Sequence, residues 1–174
     1  MQIGDLEYEI IDRVATITLN RPEKFNAITE RMPDNLAEAV ARANDDDSVH
    51  VIVLTGAGRG FCGGYDLNVF AEGQTPAIQD MPWDAMIDYQ FMQRCTDSFM
   101  SLWRCPKPVI AKVHATATAA GCQLVATCDL AIAAETAKFA TPGVNIGLFC
   151  STPMVAVSRN VGRKRMMEML LTGE

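Results

Sequence analysis

A run of small residues between a predicted strand and a predicted helix is the part of this sequence best suited to chemistry. Residues 107–129 begin with an apolar strand at 109–113 and end with an apolar helix at 121–128. Backbone N–H groups at the start of a helix have no partner inside the helix, and neighbouring small residues leave them accessible. Because such groups stabilise a negatively charged oxygen without a side-chain donor, this turn is predicted to supply half of an oxyanion hole.

A glycine-rich loop, residues 56–64, follows a buried strand predicted at 51–55. Its residues 58–63 match G-x-G-x-x-G, but a dinucleotide-binding motif also needs a helix that starts at once and an acid about 20 residues later. Here a proline-containing region follows, and the acid near that distance, Asp80, stands close to Pro82. The loop is therefore predicted to be a turn that a ligand approaches closely. A dinucleotide-binding oxidoreductase is the alternative.

The remaining chain alternates strand and helix patterns, which is typical of an α/β protein. Asp12-Arg13 is predicted to join two strands in a hairpin, and Thr29 is predicted to cap a helix although Pro33 falls in its first turn. Residues 66–84 are predicted to be irregular, and a mobile flap over a site is one interpretation. The predicted strands are 6–11, 14–19, 51–55, 109–113, 130–134 and 137–140, and the predicted helices are 29–44, 86–103, 121–128, 153–161 and 163–171.

Composition narrows the class of protein. The 174 residues fit one domain, and a net charge of -6 argues against a nucleic-acid or anionic-membrane surface. The N-terminus resembles neither a signal peptide nor an Arg-rich transit peptide. The six cysteines form no C-x-x-C pair and lie mostly in apolar surroundings, so reduced thiols in a cytoplasmic protein are expected, with metal ligation or disulfides as the alternative. Asp45, Asp46 and Asp47 are interpreted as a solvated turn, and no metal site is expected.

Four motifs, in order along nearly the whole chain, resemble the enoyl-CoA hydratase/isomerase (crotonase) superfamily. Together they are specific because both their order and their spacing agree. They are Arg21-Pro22 with Asn26-Ala27, Thr55-Gly56 with residues 61–67, residues 107–111 with residues 120–124, and Cys128-Asp129 with residues 139–147.

The resemblance implies one domain, residues 1–174, folded as a crotonase-like spiral of ββα units and assembled as a homotrimer or hexamer. It implies an enzyme of the lyase or isomerase type that binds an acyl-CoA thioester and stabilises its enolate, with the N–H groups of Tyr65 and Ala120 on the carbonyl oxygen. Coenzyme A is then part of the substrate, and no separate cofactor is expected. The implied substrate-binding residues are Lys24, Phe25, Ala27, Gly64, Asp66, Leu67, Gly121 and Pro142.

The sequence departs from the family at both catalytic acids. Hydratases of this family use two glutamates to ionise a water and deliver a proton, and these positions are Gln123 and Gly143 here. A carboxamide does not exchange protons at neutral pH and glycine has no side chain, so the standard two-glutamate hydration is not expected. Gln123 could orient a water instead. Gly143 is expected to leave a vacancy, which a small anion fills in the dihydroxynaphthoyl-CoA synthase branch.

Two further residues have alternative interpretations. Cys150 stands where some relatives carry an active aspartate, and it could be a nucleophile or base if its pKa is lowered. An ordinary core thiol is the other reading. His114, at a strand end, is more often a hydrogen-bonded structural residue than a catalyst.

The family members continue beyond the segment that ends here at Glu174. The C-terminal helical region is therefore expected to be missing from this chain, and a lone monomer is expected to expose apolar surface. Besides the acyl-CoA enzyme and the oxidoreductase, a catalytically silent acyl-CoA binder or assembly subunit stays open as a third hypothesis.

Overall fold

The computed structural model describes residues 1–67 and 89–174. The strands in these residues are β1 (Gln2–Ile3), β2 (Leu6–Ile11), β3 (Val14–Leu19), β4 (Val51–Gly56), β5 (Gly60–Cys62), β6 (Val109–Val113), β7 (Thr116–Thr118), β8 (Leu130–Ala133) and β9 (Phe139–Ala140). The α-helices are α1 (Met32–Asp45), α2 (Tyr89–Arg104), α3 (Ala120–Thr127), α4 (Ser151–Val157) and α5 (Arg163–Thr172), and short 3-10 helices span Pro22–Lys24 and Pro142–Ile146.

Two sheets organise the chain. The larger one has the order β1-β2-β3-β4-β6-β8, and the smaller one has the order β5-β7-β9. The hairpin strands β2 and β3 are antiparallel, whereas β3, β4, β6 and β8 run parallel to their neighbours. Each successive turn of chain adds one strand to the larger sheet, then one to the smaller sheet, then a helical segment. This is the spiral of ββα units that the resemblance implies.

The core lies between the larger sheet and the helices. Alternate residues of β3 are buried, as expected for a strand with one face on the core, and the apolar stripe of α1 contributes Leu36, Val40 and Ala43. Helices α1 and α2, which belong to the first two turns of the spiral, pack against each other. No helix among the described residues is long and apolar enough to cross a membrane.

Strand β8 forms the last edge of the larger sheet and is exposed along its whole length. Leu130 is 60% exposed and Ile132 is 65% exposed, although both are large apolar residues. The chain therefore presents apolar surface at this edge, as the sequence predicts.

Several boundaries differ from the prediction for local reasons. Helix α1 begins at Met32 rather than after Thr29, whose hydroxyl instead accepts the Met32 N–H at 3.2 Å. Pro33 lies in the first turn of α1, where no intrahelical N–H donor is required. Helix α4 starts and ends earlier than the predicted 153–161. Of the predicted flap, residues 68–84 lie outside the described residues, as do residues 86–88 of the predicted second helix.

Candidate active site

The two bends singled out in the sequence adjoin each other. A Cβ placed on Gly64 would lie 2.9 Å from the Cβ of Ala119 and 3.5 Å from the amide nitrogen of Ala120. Gly64 also has a φ of +95°, which side-chain-bearing residues rarely adopt. The glycine at this position therefore allows the loop before Tyr65 to meet the start of α3.

The loop that carries the Tyr65 amide is held from one side. The Ile28 N–H donates to the Gly64 carbonyl at 2.8 Å, and the Asp66 N–H donates to the Ile28 carbonyl at 3.0 Å. The Gly64 carbonyl and the Tyr65 N–H belong to one trans peptide unit, so they point in opposite directions. The Tyr65 N–H therefore points away from Ile28, and it donates to no backbone oxygen of the described residues.

The second bend is set by an unusual backbone conformation. Ala119 has φ 50° and ψ −118° as the N-cap of α3, a conformation that is costly for alanine. The next residue, Ala120, is the first of the helix, and its N–H likewise donates to no backbone oxygen in the described part of the chain. Gly121 packs so closely on the Cys62 carbonyl that a Cβ there would overlap it. Alanine and glycine thus bring this helix start against the glycine-rich loop.

The first motif acts as a scaffold for the glycine-rich loop. The Asn26 carboxamide, fully buried, donates through Nδ2 to the carbonyls of Ala57, Gly60 and Phe61 at 2.9, 2.8 and 3.1 Å. Its Oδ1 accepts the Arg21 N–H at 2.8 Å. These contacts give the asparagine of the motif a structural role, which is to hold the glycine-rich loop, rather than a role in ligand binding.

Arg21 connects the same loop to Asp66. Its Nη1 lies 3.0 Å from Asp66 Oδ2 and donates to the Ala27 carbonyl at 2.8 Å. Asp66 is 8% exposed, so its carboxylate is engaged inside the protein. This placement does not support a direct contact between the Asp66 side chain and a ligand bound at the surface.

Other predicted ligand contacts do reach the surface beside this loop. Lys24 is exposed, Phe25 is 43% exposed and Leu67 is 45% exposed. The Arg59 guanidinium carbon lies 4.4 Å above the Phe25 ring, a cation–π arrangement that sequence reasoning missed. Ala27 and Pro142 are half-buried, and Gly64 and Gly121 are buried at the junction of the two bends.

Gln123 follows the second bend by one turn of helix. Its N–H donates to the Ala119 carbonyl at 3.2 Å. Residues three apart on a helix share a face, and helical side chains lean toward the helix start, so the Gln123 side chain lies on the side of the Ala120 N–H. Its Oε1 is buried and has no hydrogen-bond partner within residues 1–67 and 89–174. A buried acceptor without a partner is a candidate for contact with a ligand or a water.

Gly143 does not leave the open space that the sequence predicts. A Cβ there would overlap the Leu148 carbonyl and would lie 2.8 Å from Cys150 Sγ. The Leu148 N–H also donates to the Gly143 carbonyl at 2.8 Å, which closes the turn around the glycine. The vacancy was wrongly expected because the sequence does not show that the chain folds back onto this position.

The cysteines are packed thiols. All six lie within the described residues and are free, and five of them are buried. Burial raises the pKa of the Cys150 thiol, and a hydrogen bond from the Gly143 backbone offsets only part of this effect. The lowered pKa that a reactive Cys150 would need is therefore absent. Among the described residues, no group of three or more His, Cys, Asp or Glu side chains is placed to hold a metal ion.

The sequence analysis also gave no role to the side chain of Tyr65. Its ring packs edge-to-face on Phe91 of α2, with ring centroids 5.8 Å apart. Burial raises the pKa of its hydroxyl, which lies in the neighbourhood of Cys95 of α2 and Thr152 of α4. The only sequence signal for this network is a bulky aromatic in a loop of otherwise small residues.

The dinucleotide alternative fails on local structure. Residues Gly60–Cys62 of the glycine motif form strand β5, where a dinucleotide site requires the start of a helix. His114 Nε2 lies 2.9 Å from the Gly58 carbonyl, so this histidine fastens the same loop. A separate groove of about 860 Å³ lies between α3, β8 and α5, and neither Tyr65 nor Gln123 lines it.

The ββα spiral, with its glycine-rich loop packed against the start of α3, defines a protein of the crotonase fold. The family model described as enoyl-CoA hydratase/isomerase matches residues 9–174, and the chain belongs to this family. It is 44% identical over 160 residues to the enoyl-CoA hydratase domain-containing protein 3, mitochondrial, of Danio rerio, covering 92% of this chain and 52% of that protein. It is 37% identical to the 1,2-epoxyphenylacetyl-CoA isomerase of Escherichia coli (strain K12), covering 92% of this chain and 59% of that protein.

Solved structures agree with the fold. An enoyl-CoA hydratase of Mycobacterium smegmatis superposes with a TM-score of 0.85 at 48% identity, covering 98% of this chain and 63% of that one. The human enoyl-CoA hydratase domain-containing protein 3 gives a TM-score of 0.87 at 40% identity, with 98% and 64% coverage. The chain therefore spans between about half and two thirds of these relatives' lengths. Since one relative is mitochondrial by name, the cytoplasmic location stays a prediction.

Proposed function

We propose that this chain carries the acyl-CoA site of an enzyme that stabilises a thioester enolate with the N–H groups of Tyr65 and Ala120. The observation that carries the proposal is the junction of the two bends at Gly64, Ala119 and Ala120. Neither amide donates to a backbone oxygen of the described residues. Two N–H donors from separate segments suit one oxygen that gains negative charge when an α-proton leaves a thioester.

The side chains available for proton transfer differ from those of a two-glutamate hydratase. Gln123 offers a neutral carboxamide, and position 143 is closed by Leu148 and Cys150. Proton removal from the thioester α-carbon requires only one base, whereas hydration requires both an ionised water and a proton donor. We therefore propose enolate chemistry of the isomerase type on an acyl-CoA, in which the α-proton passes to a small basic anion from solvent that the Gln123 carboxamide orients.

A catalytically silent acyl-CoA binder is the second candidate. The observation in its favour is the raised pKa of Cys150 beside the closed position 143, because neither residue supplies a base at neutral pH. Binding without proton exchange would distinguish it from the enzyme.

The proposed assembly is a homotrimer or hexamer. The exposed apolar edge at β8 supports it, because apolar surface of this extent is normally covered. No separate cofactor is part of the proposal, since coenzyme A belongs to the substrate.

The direct experiment is exchange of the α-protons of butyryl-CoA in D₂O, followed by NMR, together with calorimetric titration of butyryl-CoA. The proposal predicts binding with protein-dependent loss of the α-proton signal, and little hydration of crotonyl-CoA. Binding without exchange would select the silent binder, and the absence of binding would refute both candidates.

A further inference from the structure

A side-chain hydrogen bond joins the two bends of the candidate site. The hydroxyl of Thr118, the last residue of β7, donates to the Gly63 carbonyl at 3.0 Å. Gly63 stands two residues before Tyr65, and Thr118 stands two residues before Ala120. The bond therefore links the two segments at the same distance along the chain from each of the amides proposed to bind the thioester oxygen.

This bond lies where the backbone pairing between β5 and β7 stops. The two strands are parallel, and their last paired residues are Cys62 and Ala117. The next residues along the two strands are Gly63 and Thr118. The hydroxyl of Thr118 thus carries the connection between these strands one position further, into the bends themselves.

The backbone bonds of each bend lead to different parts of the protein. The Gly63 N–H donates to the Phe25 carbonyl at 2.8 Å, whereas the Ala119 N–H donates to the Ala140 carbonyl of β9 at 3.0 Å. Local conformational preference does not fix the bends either, because glycine rotates freely and Ala119 has a costly φ of 50°. The separation of the two bends therefore depends on contacts that cross directly between them.

We propose that Thr118 is a positioning residue whose hydroxyl sets the separation of the Tyr65 and Ala120 N–H groups. The inference rests on the proposed function, because that proposal places both amides on one thioester oxygen. Each donor must lie about 2.7–3.1 Å from this oxygen, so a changed separation weakens at least one of the two hydrogen bonds. Since the oxygen carries more charge in the transition state than in the bound substrate, misplacement lowers kcat more than affinity.

Substitutions at position 118 separate the hydroxyl from the rest of the side chain. Thr118→Val removes the hydroxyl at nearly unchanged size, Thr118→Ala removes it together with the methyl group, and Thr118→Ser retains it. Thr116→Val is the matched control, because Thr116 is an exposed residue of the same strand and lies two positions away on the same face.

The acceptor of the bond can be observed directly. Gly63-Gly64 is the only pair of adjacent glycines in the sequence. Protein labelled with [1-¹³C,¹⁵N]glycine therefore contains one ¹³C carbonyl bonded to a ¹⁵N amide, and this signal belongs to Gly63. We expect the signal to move in Thr118→Val and Thr118→Ala and to keep its parent position in Thr118→Ser and Thr116→Val. An unmoved signal in both hydroxyl-free variants would overturn the inference.

The effect on the site is read from the thioester. In the parent protein, two N–H donors should move the carbonyl ¹³C signal of bound [1-¹³C]butyryl-CoA to a higher chemical shift than in the free thioester. Thr118→Val should lose part of this shift and lower kcat for α-proton exchange by about tenfold with KM unchanged, as expected for one neutral hydrogen bond. Thr118→Ser should recover most of both effects, and Thr116→Val should match the parent.

The outcomes separate this inference from the proposed function. A parent-like thioester signal and kcat in both hydroxyl-free variants would overturn the inference alone. A raised KM with unchanged kcat would also overturn it, because Thr118 would then be a direct ligand contact. If bound butyryl-CoA shows no carbonyl shift in the parent protein, the oxyanion assignment fails and the inference fails with it, even where the Gly63 signal confirms the hydrogen bond.

Discussion

Gly64 lies directly against Ala119, although the two residues follow different strands, β5 and β7, and are 55 positions apart in the chain. The contact leaves no room for a side chain on Gly64, because its Cβ would be 2.9 Å from the Ala119 Cβ and 3.3 Å from the Thr118 carbonyl. The glycine is thus required both for its backbone conformation and for the junction of the two bends.

The Gly64→Ala variant should destabilise the fold and distort the junction. The positive φ and the overlap with Ala119 together are expected to cost about 3 kcal/mol of unfolding free energy. Gly162→Ala is the control, because φ is −57° there and no atom lies within 4 Å of the added Cβ. Urea unfolding measures both variants, and equal stabilities would contradict this account of the junction.

Asn26→Ala should destabilise the protein through the glycine-rich loop. Three carbonyls, two of them in buried contacts, lose their carboxamide donor, and the loss is expected to be about 3 kcal/mol. Asn20→Ala serves as the control, since Asn20 donates to Glu7 at an exposed position. If butyryl-CoA affinity falls in Asn26→Ala while urea unfolding is unchanged, Asn26 is a ligand contact rather than a scaffold.

Restoring glutamates should not create a hydratase. Gln123→Glu supplies one carboxylate, but Gly143→Glu must displace the Leu148 backbone and Cys150, so it is expected to cost about 3 kcal/mol or more. The test is crotonyl-CoA hydration, followed by the loss of ultraviolet absorbance, in the single and double variants. A folded double variant with rapid hydration would show that the space at position 143 is available after all.

The buried thiols predict a loss of stability at alkaline pH. Burial raises the pKa of Cys62 and Cys122 from the ordinary 9.0 to about 12. Between these values the unfolded chain releases thiol protons that the folded protein keeps, so stability falls as pH rises through this window. The expected slope is about 1 kcal/mol per thiol per pH unit, measured by urea unfolding between pH 8 and pH 11.

A matched pair of variants isolates this effect. Cys62→Ala should make the alkaline slope shallower, and Cys105→Ala is the comparison at a thiol that is only half-buried. Iodoacetamide at pH 8 should label Cys105 before the buried thiols. Early labelling of Cys62 would contradict the packing described here.

The regular parts of the fold could be predicted because their signals are local. Strands β2 and β3 match the predicted bounds, and Asp12 and Arg13 both adopt the positive φ that a tight hairpin requires. The short strands β5 and β7 were missed because three residues are too few to show an alternating pattern. The ββα spiral itself came from the family resemblance and not from periodicity.

Only those parts of the candidate site that are formed by backbone groups could be predicted from the sequence. The two bends follow from glycine and alanine in the sequence. The partners of Tyr65 and the closure of position 143 depend on contacts between residues far apart in the chain, so no local pattern indicates them. Cys150 illustrates this limit, since the sequence left both a reactive thiol and a core thiol open, and the structure shows a packed thiol.

The most direct test of the central claim replaces single backbone amides with esters. Lactic acid at position 120 removes the Ala120 N–H and little else, and lactic acid at position 134 is the control, because the Ala134 N–H is hydrogen-bonded to the Val113 carbonyl away from the site. We predict that the ester at 120 lowers α-proton exchange of butyryl-CoA by about 100-fold or more, as expected for one lost oxyanion donor, while the ester at 134 leaves it unchanged. Equal exchange rates in the two esters would contradict the claim that the Ala120 amide binds the thioester oxygen.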